Sequence, residues 1–362
     1  MRRIEMVTVG AGPAGLAASI EAARCGVQVV VYDENEKPGG QLFKQIHKFF
    51  GSREHYASTR GFRIGLNLLE EARDLGVEVS LHSVVLGIYE NRTMNVMVRD
   101  QIEQVKAEKL LVATGASENM IPFPGWTLPG VIGAGAAQTM ANVHGIMPGK
   151  RLLMVGSGNV GVVVAYQMLQ AGCDVAAIID AAPEIGGYGV HAAKVARYGV
   201  PFFMSHTIKE AKGKEKVEGA TIVQVDKNWK PVPGSEKELD VDTICIAVGL
   251  NPMTKLTQMA GCKMTYVPKL GGLVPGHDEN QETTIPGIYI AGDVSGIEEA
   301  STAIIEGRIA GLAIARSIGY LDEKSFLEKH REQTESMKSL RSGSHGDARR
   351  VAKEYLNAVM KG

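Results

Sequence analysis

Short apolar runs of strand length alternate along the chain with helix-length segments carrying small or apolar residues on one face, and glycines mark many of the junctions. Two stretches repeat one pattern: residues 4–33 read IEMVTVGAGPAGLAASIEAARCGVQVVVYD, and residues 151–180 read RLLMVGSGNVGVVVAYQMLQAGCDVAAIID. Each predicts an apolar strand, a glycine turn, a helix stopped at a glycine, a second β-branched strand and a terminal acid. That is one β-α-β unit written twice. Further strands are predicted at 108–113 (EKLLVA), 243–248 (TICIAV) and 287–291 (GIYIA), each running into a glycine-containing turn. Ligand crevices of parallel sheets lie at such carboxyl ends. A helix rich in Ala and Ile is predicted from Glu298 to Gly319. Beyond Tyr320 the composition becomes highly charged, and SGSHG at 342–346 reads as a loop between two amphipathic segments.

This alternation predicts an α/β fold with two Rossmann-like nucleotide-binding domains built on doubly wound sheets. The second repeat starts before the first sheet is complete, and the Gly-Asp strand near residue 290 reads as the end of the first domain. The second domain is therefore expected to be inserted into the first. The expected boundaries are 1–121 with 253–320 for the discontinuous first domain, 122–252 for the insert, and 321–362 for a charged helical tail of surface helices or a partner contact.

Composition narrows the function classes. The 362 residues include 39 Lys+Arg against 40 Asp+Glu, a formal charge of −1, with 44% hydrophobic residues, as in ordinary globular proteins of two or three domains. That balance gives no pull toward phosphate backbones or anionic membranes, and no basic, aromatic patch suggests nucleic acid as a partner. The start, MRRIEMVTVGAGPAG, is broken by Thr8 and by glycines, so it is not expected to be a secretion signal. No apolar run reaches the roughly 18 residues of a membrane span. The four cysteines, Cys25, Cys173, Cys245 and Cys262, form no C-x-x-C pair. No metal site and no dithiol centre are expected, and a reducing, cytoplasmic setting fits.

Chemistry concentrates in the glycine turns, and the 43 glycines are well above the average of about 7%. In the first, Gly10-Ala11-Gly12-Pro13-Ala14-Gly15 follows a strand and opens a helix. Gly10 suits a tight turn, Gly12 the approach of a pyrophosphate, and Gly15 close helix-strand packing. Asp33, at the end of the second strand, is placed to accept ribose hydroxyls. The second turn is Gly156-Ser157-Gly158-Asn159-Val160-Gly161, with Asp180 as its terminal acid. An acid there repels a 2′-phosphate, and the following AAPEIGG offers no Arg to receive one, so NAD is favoured over NADP.

With GGQL at 39–42, LLVATGA at 110–116 and GIYIAGDVSG at 287–296, the chain resembles the two-dinucleotide-binding flavoproteins that include thioredoxin reductase. The resemblance covers about residues 1–320. PFPGWTLPGV at 122–131, followed by GAGAAQTM and VGSGNVG, is most similar to one branch. That branch holds the FAD/NAD subunits of multimeric amine and amino-acid oxidoreductases: sarcosine oxidase alpha, opine oxidase, hydrogen cyanide synthase and proline or hydroxyproline dehydrogenases. The resemblance implies FAD held at Gly10, Gly12, Gly15 and Asp33, with Pro13 and Ala14 opening the helix. It also places Gln41 beside the flavin, Val85 at the adenine, and Thr114 with Gly115 over the adenosine. Gly292 and Asp293 would meet the ribityl chain, and the helix starting near Ala300 and Ser301 would point at the flavin's pyrimidine edge.

The chain departs from the disulfide reductases of this family, because neither GGQLFKQIH nor GVIGAGAAQTM contains a cysteine. Electrons must then leave for nicotinamide, oxygen, quinone or another protein's cofactor. Relatives often continue into a cysteine-rich iron–sulfur module, whereas 320–362 has no cysteine, so such a cluster would come from another chain. The leading expectation is an FAD-dependent oxidoreductase, the electron-transferring subunit of a multi-subunit amine or amino-acid dehydrogenase or oxidase. Its expected partners are a flavoprotein dehydrogenase and a small iron–sulfur protein, each as a further subunit. Two alternatives stay open: a self-sufficient NADH oxidase or NADH:acceptor reductase, and an assembly subunit holding a structural adenine nucleotide in the second pocket. No catalytic residue is assigned. Lys44 and His47 follow the GGQ turn, and His191, Lys194 and Arg197 lie where they would flank a nicotinamide nucleotide.

Overall fold

The computed structural model describes residues 1–49 and 51–361, which divide into two compact units: Met1–Ser117 with 251–361, and Glu118–Leu250. The first unit opens with β1 (Arg2–Val9), α1 (Pro13–Arg24) and β2 (Val29–Tyr32), followed by α2 (Gly61–Asp74) and β3 (Glu78–Ser80). A meander of β4 (Ser83–Tyr89), β5 (Thr93–Val98) and β6 (Gln101–Val112) completes this segment. All four residues of β2, VVVY, are buried, as expected of a parallel strand covered on both faces.

The chain crosses to the second unit at β7 (Ala116–Glu118). That unit begins with β8 (Val131–Gly133), α3 (Ala134–His144), β9 (Arg151–Val155), α4 (Asn159–Ala171) and β10 (Asp174–Asp180). It continues with α5 (Gly189–Ala196), β11 (Phe202–Met204), β12 (His206–Lys212), β13 (Gly219–Gln224), β14 (Lys237–Leu239) and β15 (Thr243–Ile246). Its parallel sheet runs β11-β10-β9-β15-β8, with a separate antiparallel sheet β12-β13-β14.

After β16 (Leu250–Pro252) the first unit resumes with α6 (Lys255–Met259), the hairpin β17 (Met264–Val267) and β18 (Gly272–Pro275), and then β19 (Ile288–Ile290). The helices α7 (Ala300–Ser317), α8 (Glu323–Leu340) and α9 (Gly343–Lys361) close the chain. The first unit's sheet has the order β3-β2-β1-β6-β5-β4, and β19 pairs in parallel with the end of β6 through Ile288, Tyr289 and Ile290. Gly307 and Gly311 let α7 lie against the α1 backbone, since a Cβ at either would strike the Ala14 or Ala18 carbonyl.

Three expectations need correction. The crossings fall after Ser117 and Leu250 rather than at 121 and 252, and α8 and α9 belong to the first unit instead of forming a separate tail. Met337 of α8 is buried with Ile305 and Ile309 of α7, and Ala352 and Leu356 of α9 with Val267, Leu270 and Val274. SGSHG is not a loop, because α9 already starts at Gly343. Gly346 is buried against Arg341, where a Cβ would lie 2.8 Å from the Arg341 Cα, so its glycine serves a close approach between successive helices. Gly362, the last residue of the expected tail, lies outside the described residues.

Candidate functional site

In the first unit the turn between β1 and α1 consists of Gly10, Ala11 and Gly12, and the motif's three glycines answer three different demands. Gly10 has φ +108°, and a Cβ there would strike the Ala113 carbonyl. A Cβ on Gly15 would run into the Gly10 carbonyl. Gly12 has ordinary backbone angles, φ −75° and ψ −179°, and its Cβ would meet only the Gly40 Cα at 3.9 Å. Neither conformation nor packing requires glycine at 12. No side chain caps α1, whose first amides are thus left to water or a ligand anion.

Asp33, just past β2, ties this turn together. Its Oδ2 accepts from Ala11 N–H at 2.6 Å, and its Oδ1 accepts from the backbone and side-chain amides of Asn35 at 2.8 Å each. A carboxylate offers about four acceptor directions, so capacity remains for a hydroxyl. Gly39 N–H donates to Ala11 O at 2.7 Å, and a Cβ on Gly40 would lie 2.9 Å from the Gly12 Cα, so the Gly-Gly segment lies against the turn. Gln41 is exposed in the following 3-10 turn, Gly40–Lys44. Ser83 N–H donates to Asp33 O at 2.8 Å, bringing β4 and with it Val85 alongside the acid. After β6, Thr114 Oγ1 donates to Met253 O at 2.8 Å, and Gly115 O accepts from Met253 N–H at 2.9 Å. A Cβ on Gly292 would lie 2.9 Å from the Ala14 Cβ, so the Gly292-Asp293 turn abuts the start of α1. Lys44 ends the 3-10 turn, and His47 stacks on Phe49 with centroids 5.9 Å apart.

Asp293 precedes α7, whose first turn carries Ala300 and Ser301 and has no side-chain cap. Its Oδ1 accepts from Glu298 N–H at 3.3 Å. Burial pushes its carboxyl up to about 7, and the neighbouring acids Glu306, Glu299 and Glu298 add to the rise. Beneath this turn lies a buried ion cluster that sequence reasoning missed. Glu306 of α7 is 2% exposed; its Oε2 accepts from Gly292 N–H at 2.9 Å and lies 2.9 Å from Ser295 Oγ. Its Oε1 accepts from Lys353 Nζ at 2.9 Å and from Arg341 Nη2 at 2.7 Å. Burial alone would raise Glu306, but Lys353 and Arg341 hold it below the usual carboxylate range. Arg341 also clamps Glu298 through Nε at 3.0 Å and Nη2 at 2.7 Å. His277 is buried with Nδ1 bonded to Asp278 O, and burial with Lys353 pushes its imidazole down to about 4. The available signal was a lone carboxylate inside the apolar run STAIIEGRIAGLAIA, which demands a partner.

The second unit repeats the first turn's logic. Gly156 has φ +113° and a Cβ there would strike the Ala247 carbonyl, while a Cβ on Gly161 would strike the Gly156 carbonyl. Gly158 has φ −65° and ψ 176°, and its Cβ would meet nothing within 4 Å. Asp180 Oδ2 accepts from both Ser157 N–H and Ser157 Oγ–H at 2.7 Å, and Oδ1 accepts from Ala182 N–H at 2.9 Å. Gly187 N–H donates to Ser157 O at 2.8 Å, and Tyr188 N–H to Asn159 Oδ1 at 2.8 Å. The pair Gly186-Gly187 therefore covers this turn as Gly39-Gly40 covers the first, an extension of the repeat past Asp180 that sequence reasoning missed.

Register explains why the match was harder to see. The glycines are 146 residues apart between the two copies and the acids 147. The pairing of β9 with β10 joins Leu152 to Val175 but Leu153 to Ala177, so Ala176 is the extra residue, a β-bulge that the β1–β2 pair lacks. His191 lies on α5, its imidazole pushed down by burial and by Lys194. Lys194 Nζ stands 5.6 Å from the Tyr166 ring centroid, and Arg197 ends the helix.

Among the described residues all four cysteines are free, with Cys25 half-buried and the others buried. Burial pushes each thiol up, Cys173 to about 11, so none is poised as a thiolate. No group of three or more His, Cys, Asp or Glu that could hold a metal ion occurs among the described residues.

Two glycine turns of this kind also decide the lineage, because the sequence model of the family described as "Pyridine nucleotide-disulphide oxidoreductase" matches residues 4–307, spanning both. The chain belongs to that family. The pyridine nucleotide-disulphide oxidoreductases are FAD-binding, with NAD(P) bound in relatives. It is 29% identical over 333 residues to an opine oxidase subunit of Agrobacterium tumefaciens, covering 85% of this chain and 65% of that protein. It thus spans less than two thirds of that relative. The HcnB subunit of hydrogen cyanide synthase from Pseudomonas aeruginosa is 30% identical over 372 residues, covering 96% of this chain and 79% of its own. The alpha subunit of sarcosine oxidase from Corynebacterium sp. is 24% identical, with 87% of this chain and 33% of that one covered. Among solved structures, T. acidophilum thioredoxin reductase matches with TM-score 0.71 at 22% identity, covering 88% of this chain and all of that one. L-proline dehydrogenase from P. horikoshii matches with TM-score 0.68 at 22% identity, covering 91% and 59%. These two show the fold, the two Rossmann-like domains expected from the sequence. This family member has no helix among the described residues long and apolar enough to cross a membrane.

Proposed function

We propose that this chain is the electron-transferring subunit of a multi-subunit amine or amino-acid oxidoreductase, holding FAD in the first unit and NAD in the second. One observation carries the nucleotide assignment: Gly12 and Gly158, each at the N-cap of the helix after its turn, have ordinary backbone angles and room for a Cβ, so the fold itself gives no reason for glycine at either. A pyrophosphate approaching the backbone at a helix N-terminus supplies one. The multi-subunit role is supported by the opine oxidase, hydrogen cyanide synthase and sarcosine oxidase relatives, each itself one subunit of its enzyme.

In this reading Gly10, Gly12 and Gly15 with Pro13 and Ala14 receive the FAD pyrophosphate, and Asp33 accepts from the ribose. Val85, Thr114 and Gly115 line the adenosine side, and Gln41 stands beside the flavin. Asp293 bonds the ribityl chain, and the positive end of α7 at Ala300 and Ser301 favours negative charge on the flavin's pyrimidine edge. Bound FAD would supply reversible two-electron chemistry. Gly156, Gly158, Asn159 and Gly161 receive the second pyrophosphate, while Asp180 accepts from a ribose and disfavours a 2′-phosphate. With every thiol raised in pKa, electrons pass to nicotinamide or to a partner-borne cofactor rather than through a dithiol. The partners are a substrate-oxidising flavoprotein and a small iron–sulfur protein, joined with this chain in a cytoplasmic assembly.

The test is anaerobic spectroscopy on the purified chain. It should be yellow, bleach on addition of NADH, and stay coloured with amino acids until the dehydrogenase partner is added. Bleaching by an amino acid alone would overturn the division of labour, and a lone homodimer turning over NADH rapidly would favour a self-sufficient NADH oxidase.

A further inference from the structure

We infer that Lys353 and Arg341, delivered by the C-terminal helices, are positioning residues of the flavin site, fixing the Gly292-Asp293 turn through Glu306. The inference rests on the FAD reading above and goes beyond the residues it uses. Lys353 Nζ spends its three donors on Ser295 O at 3.0 Å, Ser295 Oγ at 2.7 Å and Glu306 Oε1 at 2.9 Å. Two of these fall on the turn itself. Through Glu306 the same charge reaches Gly292 N–H, the residue directly before Asp293. Lys353 is 4% exposed and Glu306 2%, so the lysine depends on Glu306 for its counter-charge, and the carboxylate on Lys353 and Arg341 together.

Apolar contacts already dock the helices, α9 through Ala352 and Leu356 and α8 through Met337. The ions therefore do something else. Charges balance in the cluster: Glu306 and Glu298 face Lys353 and Arg341, while buried His277 is neutral. Asp293 is left as the one acid without a cationic partner of its own in that set. Removing Lys353 adds a net negative charge under the turn that would meet the flavin. Asp293 then holds its proton more tightly, and negative charge on reduced flavin is less favoured.

Lys353→Met, Lys353→Arg and the double variant Lys353→Met/Glu306→Gln, compared with wild type, test this through FAD dissociation constants and flavin midpoint potentials. Lys353→Met should weaken FAD binding by about tenfold or more and lower the potential, since Arg341 alone is left to balance Glu298 and Glu306 and the cluster carries a net negative charge. Lys353→Arg should recover most of the affinity. The double variant should return the potential toward wild type, because the charge balance is restored, a crossover that loss of packing alone does not produce. Wild-type affinity and potential in Lys353→Met overturn the inference, as does a potential that stays low in the double variant. If Lys353→Met does not fold, the arginine and double variants decide by the same readouts. A wild-type protein that takes up no FAD removes the functional reading itself and is distinguished by its lack of colour.

Discussion

Asp33 and Asp180 end equivalent strands, yet they are satisfied differently: Asp33 by backbone and side-chain amides of Ala11 and Asn35, Asp180 by the hydroxyl and amide of Ser157 with Ala182 N–H. The glycines beside them are interchangeable in geometry, with φ +108° at Gly10 and +113° at Gly156. Larger differences lie across the sheet. In the first unit β19 pairs with β6 and leads through Gly292-Asp293 to α7, over the buried Glu306 cluster. In the second, β8 pairs with β15 and leads to α3, where Glu118 Oε1 accepts from Gly135 N–H at 2.6 Å. The comparison teaches that backbone demands are copied between the units, whereas the acid-base surroundings are particular to each. Among the described residues, only the first crevice adjoins a carboxyl that titrates near 7.

The shared scaffold is tested by the largest effect. Gly15→Ala and Gly161→Ala each drive a Cβ into a backbone carbonyl, so each should cost about 3 kcal/mol or more in denaturant unfolding. A mild result for one and not the other would break the equivalence. Next comes the acid-base difference, read as stability of the apoprotein against pH. His277, depressed from 6.5 to about 4, takes its proton only in the unfolded chain over that window, so it weakens the fold as pH falls. Asp293, raised from 3.8 to about 7, holds a proton in the folded chain and strengthens the fold as pH falls. The two slopes oppose each other. Asp293→Asn should therefore expose the His277 slope, a loss of about 2–3 kcal/mol between pH 6.5 and 4.5, and His277→Gln the opposite slope.

The middle glycines separate the two ligands. Gly12→Ala should leave apoprotein melting unchanged and weaken FAD binding roughly 5- to 150-fold, the equivalent of about 1–3 kcal/mol of overpacking. Gly158→Ala should do the same for NADH in titrations and spare FAD. Last is Ser157→Ala, peculiar to the second unit, which removes the hydroxyl's bond to Asp180 and the one it accepts from Gly186 N–H, and should cost about 1–3 kcal/mol by thermal unfolding.

The α/β architecture was legible because a strand-glycine-helix junction leaves few choices at Gly10, Gly15, Gly156 and Gly161, and each must appear as glycine in the sequence. The Gly186-Gly187 cover was not legible, since the bulged Ala176 shifts the second copy by one residue. The Glu306 cluster was hidden for another reason. Its partners are 35 and 47 residues away, and a periodicity reading treats charges on α8 and α9 as solvated faces. Likewise Gly346 looks like a loop residue until the packing of α9 against Arg341 supplies its reason.

The burial of Arg341 and Lys353 has a practical reach, because the family pattern stops at residue 307. A truncated version ending there or at Tyr320 would retain the whole family match while stranding Glu298 and Glu306 inside without counterions. Anyone trimming this chain to its textually obvious core would thus discard the ballast that keeps its keel upright.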